Sequence, residues 1–415
     1  MQATAVKEHP LSLSLDTQRQ RFFVASDVIY LLVVVFNAVA GGSMCVKFLH
    51  GPALALSLFL LAGTVACAMV WLRWMHIKGK TFGRKWLVIA GCLFALMFAV
   101  LFPLSLRHLV GVGSDRSDAL RVASAALVHG HYLYDARTYR GDPITPLPGA
   151  IILATPFYLL GNVSLQNLFW LAMLLWFASK YFRERSTALL FVLVLLGATS
   201  SNLDDFMVGG DYLINEVYVA IALYLVLLTH ESKRPAIQQL GAEILLGLAI
   251  DSRPIYIVVF PLLAAYLWQR SGPKIALRAV LVSGFVAGAL SIPFYLYDPA
   301  HFGPLHVTHK LDGIPAKYKA TIVLPILGFL TSCLGFLVKL SKPRVYLLLG
   351  ASMSLMLGIP GVMGLFSAGA LTVEGWYSLS WLTTATFFLM LWALWNYEKS
   401  GRALRLANQG EAPQA

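Results

Sequence analysis

The sequence predicts an all-α polytopic membrane protein, and three observations carry that reading. Of the 415 residues, 58% are hydrophobic and only 13% are charged. Apolar runs of roughly 17 to 21 residues, long enough for a helix to cross a bilayer, recur from Val28 to Tyr397. Lys and Arg gather in short clusters after alternate runs, as in Arg73 to Lys85, Lys180 to Arg185, Arg270 to Arg278 and Lys339 to Arg344. The formal charge of +12 therefore reads as an orientation signal, and no basic groove for nucleic acid is visible.

Taken in order, the apolar runs predict spans at 28–49, 53–72, 86–106, 165–182, 187–201, 213–229, 238–250, 255–269, 279–297, 321–338, 345–359 and 376–397, about twelve transmembrane helices in all. The chain then divides into a cytoplasmic tail 1–27, a single transmembrane unit 28–401 and a second cytoplasmic tail 402–415, with external loops at 107–164 and 298–320. On this assignment the cytoplasmic side holds 22 of the 32 Lys and Arg residues and 8 of the 20 acids, so both termini are expected inside. Ala38-Val39-Ala40 offers a signal-peptidase site, but it follows a long polar leader and the apolar run continues past it; retention is expected.

Parity settles two further elements. The chain must cross an odd number of times between the first large loop and the basic Arg183–Arg185 turn, and 165–182 supplies that crossing. The stretch Leu147 to Asn162, with Pro148 and Pro156, is then a short helix lying at the outer surface. Residues 238–250 rise only about 20 Å, so the apex Asp251-Ser252-Arg253-Pro254 is expected to lie sunk below that surface. All four cysteines fall inside apolar runs and read as small hydrophobic residues rather than as a disulfide or metal framework.

The reactive side chains crowd the external side. Asp115, Asp118, His131, Tyr134 and Asp135 lie in the first loop; Asp204, Asp205 and Asp211 in a short turn; Glu216 one turn into a span; Asp251 and Arg253 in the sunken apex; His306, His309 and Lys310 in the later loop. Each has a plainer reading. Ser114 to Asp118 looks like a helix N-terminus, where Ser or Asp caps free N–H groups. Arg253 can simply pair with Asp251 or anchor at the interface. The Asp204–Asp211 turn could hold a divalent cation, but turn chemistry explains its acids more cheaply. Glu216 is suspect as an acid within a span, although near an interface it can reach water. Gly303 and Pro304 break the face that a zinc site built on His301, His306 and His309 would need.

Two stretches carry a family resemblance. GSDRSDALRVASAALVHGHYLYD at 113–135, followed by TPLPGAIILATPFYLLG at 145–161, resembles the first external loop of the type C (GT-C) integral-membrane glycosyltransferases, and most nearly their polyprenyl-phosphate-mannose-dependent branch (glycosyltransferase family 87-like). LAIDSRP at 248–254 resembles the family's later turn with a basic residue and a proline. Here the loop follows the third predicted span, which makes the hairpin from Val28 to Trp74 an N-terminal addition.

The resemblance implies a GT-C fold and transfer of one sugar, with inversion, from a polyprenyl-phosphate donor to a lipid or cell-envelope glycan on the external, periplasmic face of a bacterial inner membrane. It implies Asp115 or Asp118 as the base that takes the acceptor proton, and Arg253 with Lys310 or His309 holding the departing phosphate. Around them, His131, Tyr134, Asp135, His306, Asp251 and Glu216 would contact substrate. No metal ligand set and no cofactor are expected, although a divalent cation is conceivable. Two other classes compete: a transporter or flippase of lipid-linked sugars, which would place charge at mid-membrane in repeated halves, and an external glycan polymerase or ligase, which would lean on the later loop.

Overall fold

The computed structural model describes residues 28–37, 40, 82–106, 115–197, 199–306, 319–367 and 381–408. Among them the fold is helical with no strand; the Arg137–Pro143 pair forms an isolated antiparallel bridge. In chain order the helices are α1 (Val28–Asn37), α2 (Arg84–Leu106), α3 (Arg116–Val128), α4 (Pro148–Leu159), α5 (Leu165–Tyr181), α6 (Arg185–Val192), α7 (Ser200–Met207), α8 (Tyr212–Glu231), α9 (Ala236–Ile250), α10 (Val259–Ser271), α11 (Pro273–Tyr297), α12 (Ala320–Cys333), α13 (Lys342–Ser367) and α14 (Leu382–Asn408).

Four helices are long and apolar enough to cross a bilayer: α2, α8, α11 and the part of α13 from Lys342 to Met363. Helix α6, its π turn Leu193–Gly197 and α7 make a fifth if the bent pair is counted as one broken span. This fits an all-α membrane protein. Helices α5, α9, α10 and α12, on four other expected spans, are shorter at 13 to 17 residues, whereas α14 runs for 27; the expected span 53–72 and most of 28–49 beyond Asn37 lie outside the described residues. Near 187–201 the run is interrupted by the π turn, and a new helix starts after Thr199.

Helix α8 is the hub and α11 the rim. The most apolar window of α8 is 78% buried against 17% for α11, which turns Leu281, Phe285 and Leu296 outward. An apolar helix left open on the outside of a bundle is what a lipid-facing position requires. Around α8, side chains from α5, α10, α13 and α14 form one continuous core. At the end of the bundle that carries Tyr212, the first loop builds a second core of its own, from Leu120 and Ala123 of α3, Leu133, Tyr134, Ile144, Ile151 of α4 and Phe302. The loop is therefore a packed layer, and its polar side chains are held in place.

Local chemistry sets the boundaries of that layer. Asp115 occupies the N-cap position of α3, and the helix closes at His129-Gly130, with Gly130 at φ +69°. Pro148 opens α4 as its first residue, where the missing N–H costs nothing. At Gly149 a side chain cannot be accommodated: a Cβ there would press into the carbonyl oxygens of Leu248 and Asp251. The bare backbone lets α4 lie directly on the turn that ends α9.

Candidate functional site

The two stretches singled out by sequence, about a hundred residues apart, meet in the fold. The Gly149 N–H donates to Asp251 Oδ2 at 2.9 Å and the Leu147 N–H to the Ser252 carbonyl at 3.2 Å. Asp251 Oδ1 also accepts from Ser291 Oγ at 2.5 Å, which ties α11 to the same turn. Asp251 thus holds the loop to the turn and does not pair with Arg253, the partner that the plain reading offered.

Arg253 reaches elsewhere. Its Nη2 donates to Asp211 Oδ2 at 2.5 Å and its Nη1 to Thr145 Oγ1 at 3.2 Å, while its Nε is buried with no partner among the described residues. Arg116, the residue after Asp115, pairs with Asp205. Both guanidiniums lie on Tyr212: the Arg116 Cζ is 3.6 Å from the ring centroid and the Arg253 Cζ 5.2 Å. One ring at the start of α8 therefore joins a cation of the first loop to a cation of the later turn. Arg116 and Tyr212 escaped the sequence reading. Arg116 stands inside the quoted SDRSD motif and could have been suspected; nothing in the sequence marks Tyr212.

Two acids serve this pair: Asp205, which lies in helix α7 rather than in the turn expected from sequence, and Asp211, just before α8. Asp205, almost fully buried, accepts from the Leu213 N–H at 3.1 Å as well as from Arg116, so it caps the first turn of α8 from a distance. Asp211 accepts from Asn215 Nδ2 at 3.2 Å and from Arg253. Both bonds to Asp211 end on Oδ2, and its Oδ1 is buried with no partner among the described residues; no group of three or more metal-binding side chains occurs among them.

The two first-loop carboxylates differ in how they are held. Asp118 is occupied on both oxygens: Oδ1 accepts from Arg121 Nη2 at 2.7 Å and Oδ2 from the Tyr139 N–H at 2.8 Å. Asp115 accepts one bond, from Thr138 Oγ1 at 3.2 Å, and its Oδ1 takes none among the described residues. Asp115 sits where a capping residue would, yet its side chain makes no capping bond. Only the placement of that reading holds.

A cleft of about 430 Å³ opens at Arg253 and is otherwise largely apolar. Tyr212, Asn215, Thr145 and Arg253 form its polar end, and Ile255, Leu324, Pro325, Met356 and Leu357 line the rest. Glu216 is fully buried, with neither oxygen in a hydrogen bond of normal geometry; Thr384, which also lines the cleft, is its polar neighbour.

The remaining expected residues scatter. Tyr134 is buried in the loop core, where its hydroxyl donates to the Pro146 carbonyl at 3.2 Å, a structural placement. His131 and Asp135 are exposed, and His131 stacks on His129 with ring centroids 6.4 Å apart. His306 is exposed at the end of the last described turn before residue 307. His309 and Lys310 lie outside the described residues. No family model, no curated protein and no solved structure matches the chain.

Proposed function

We propose that the protein is an integral-membrane glycosyltransferase of the GT-C type, with about twelve spans and both termini cytoplasmic, that moves one sugar from a polyprenyl phosphate to an acceptor on the external face. One observation carries the reading. The two stretches that resemble the family dock on each other, and their adjoining cations, Arg116 and Arg253, share Tyr212 at the polar end of an apolar cleft. A polyprenyl phosphate has this shape: an anionic head on a long hydrocarbon.

In this reading the head lies against Arg253, whose planar fork suits phosphate oxygens and whose Nε has no partner among the described residues. The isoprenoid follows the apolar wall past Ile255 and Leu324. Asp115 is the base, because no donor among the described residues reaches its Oδ1 whereas both oxygens of Asp118 are taken. The acceptor hydroxyl gives its proton to Asp115 and its oxygen attacks the anomeric carbon. The bond from that carbon to the phosphate oxygen breaks with inversion, and the guanidinium stabilises the charge developing on the leaving polyprenyl phosphate. His309 and Lys310 of the later loop would assist at the phosphate.

The test is transfer of labelled sugar from a panel of synthetic polyprenyl-phosphate sugars by the purified full chain in lipid nanodiscs. Wild type transfers from at least one donor; Asp115→Ala and Arg253→Ala do not, and His309→Ala is impaired. A wild-type protein that releases no sugar from any donor, or an active Asp115→Ala variant, overturns the proposal.

A further inference from the structure

A second cleft, of about 360 Å³, opens along α3 and shares no lining residue with the first. Asp118, Arg121, Tyr139, Tyr158, Asn162 and Ser164 face it, with Phe102 and Leu106 from the end of α2 closing the side toward the bundle. The Asp118 carboxylate is fixed by Arg121 at 2.7 Å and by the Tyr139 N–H at 2.8 Å. The Asn162 Oδ1 is turned to the Ser164 N–H at 3.0 Å. Ser164 is buried and its hydroxyl lies against Gly209, so the polar groups the cleft presents are those of Asp118, Arg121, Tyr139, Tyr158 and Asn162.

We infer that this cleft is the acceptor subsite and takes a terminal pyranose, a reading that rests on the glycosyltransferase proposal. A pyranose offers neighbouring hydroxyls that fit a fixed carboxylate–guanidinium pair and an amide, and a C–H face that packs on a tyrosine ring. The placement also suits the reaction. Thr138 bonds Asp115 and the adjacent Tyr139 N–H bonds Asp118, so one short segment sets both carboxylates. They lie three residues apart at the start of α3, a rise of about 4.5 Å. A sugar gripped at Asp118 therefore brings a hydroxyl within reach of Asp115. The two aspartates divide the work: Asp118 holds the acceptor and Asp115 takes its proton.

The experiment uses the full chain in nanodiscs and saturation-transfer NMR. The acceptor probes are methyl and octyl α-pyranosides of mannose, glucose and galactose; the donor probe is farnesyl phosphate. At least one pyranoside binds wild type. Tyr158→Ala and Asn162→Ala weaken it by about tenfold or more, Tyr158→Phe retains it, and none of the three moves farnesyl phosphate affinity; thermal melts confirm that the variants fold. Tighter binding of octyl than methyl glycosides identifies a glycolipid acceptor, equal binding a soluble glycan, and either supports the inference. It is overturned if no pyranoside binds, if Tyr158→Ala leaves binding unchanged, or if farnesyl phosphate displaces the pyranoside. Pyranoside binding without any binding of farnesyl phosphate would sink the donor assignment and leave the sugar subsite standing.

Discussion

Helix α8 carries a layer of ion pairs at each end, about 30 Å apart, and the two layers differ in what surrounds them. At the Glu231 end, Glu243 of α9 meets His230 at 2.9 Å and Arg278 of α11 at 2.8 Å, and Lys342 of α13 meets Glu231 at 2.6 Å. These groups fasten helices together, and Glu243 Oε2 is left buried with no partner among the described residues. At the Tyr212 end, Arg116 and Arg253 also meet buried acids, but Arg253 faces a cleft and keeps a buried Nε without a partner among the described residues. Pairing by itself therefore marks nothing functional. Residual hydrogen-bonding capacity occurs in both layers, and its place at the polar end of a cleft is what sets the Tyr212 end apart.

The sharpest way to break that contrast is to remove the Asp115 carboxylate, which accepts one bond among the described residues. Asp115→Asn is expected to lower kcat for sugar transfer by about 10²- to 10⁴-fold with no change in the thermal melt. Arg253→Ala comes next. Transfer falls by about 10²- to 10³-fold, and because Asp211 is left buried, stability falls by about 3–5 kcal/mol in the melt; Arg253→Lys restores stability better than it restores rate. Gly149→Ala tests the docking of α4 on the turn. The added methyl group pushes the two apart, and misplacement of the first loop is expected to cost about tenfold to a hundredfold in kcat, with the chain still folded.

At the other end the expectation reverses. Glu243→Ala lowers stability by about 1–3 kcal/mol, since His230 loses its partner inside the bundle while Arg278 reaches water. The transfer rate per folded molecule stays at the wild-type value. The smallest effect is one of pH. Burial pushes the Asp251 carboxyl up to about 7, so between the ordinary carboxylate range and about 7 the folded chain holds a proton that the unfolded chain has released. Stability accordingly falls as pH rises through that window, and Asp251→Asn flattens the slope of Tm against pH.

Much of this was legible in the sequence, and what was not has identifiable causes. Asp115 and Arg253 stood out because each breaks an apolar pattern within a short motif. A short helix at 148–159 followed from parity and from Pro148. The partners were hidden: Asp205 lies 89 residues from Arg116 and Asp211 lies 42 residues from Arg253. No local pattern encodes a long-range pair. The neighbouring Asp251 was the natural guess for Arg253, but the close approach permitted by Gly149 turns that carboxylate to the loop backbone instead. Tyr134 looked like a substrate contact because it sits beside Asp135 in a polar run; the loop's own core claimed it. Hydropathy also suggested an unbroken span near 187–201, where the backbone instead passes through a π turn.

The division between a proton-taking and a sugar-holding aspartate is the central claim, and a single comparison tests it most directly. Initial rates for Asp115→Asn and Asp118→Asn are measured with labelled polyprenyl-phosphate sugar over a range of acceptor concentrations. The account predicts that Asp115→Asn collapses kcat at saturating acceptor, whereas Asp118→Asn raises the acceptor KM and leaves most of kcat intact. The reverse pattern, or two variants as fast as wild type, would contradict it.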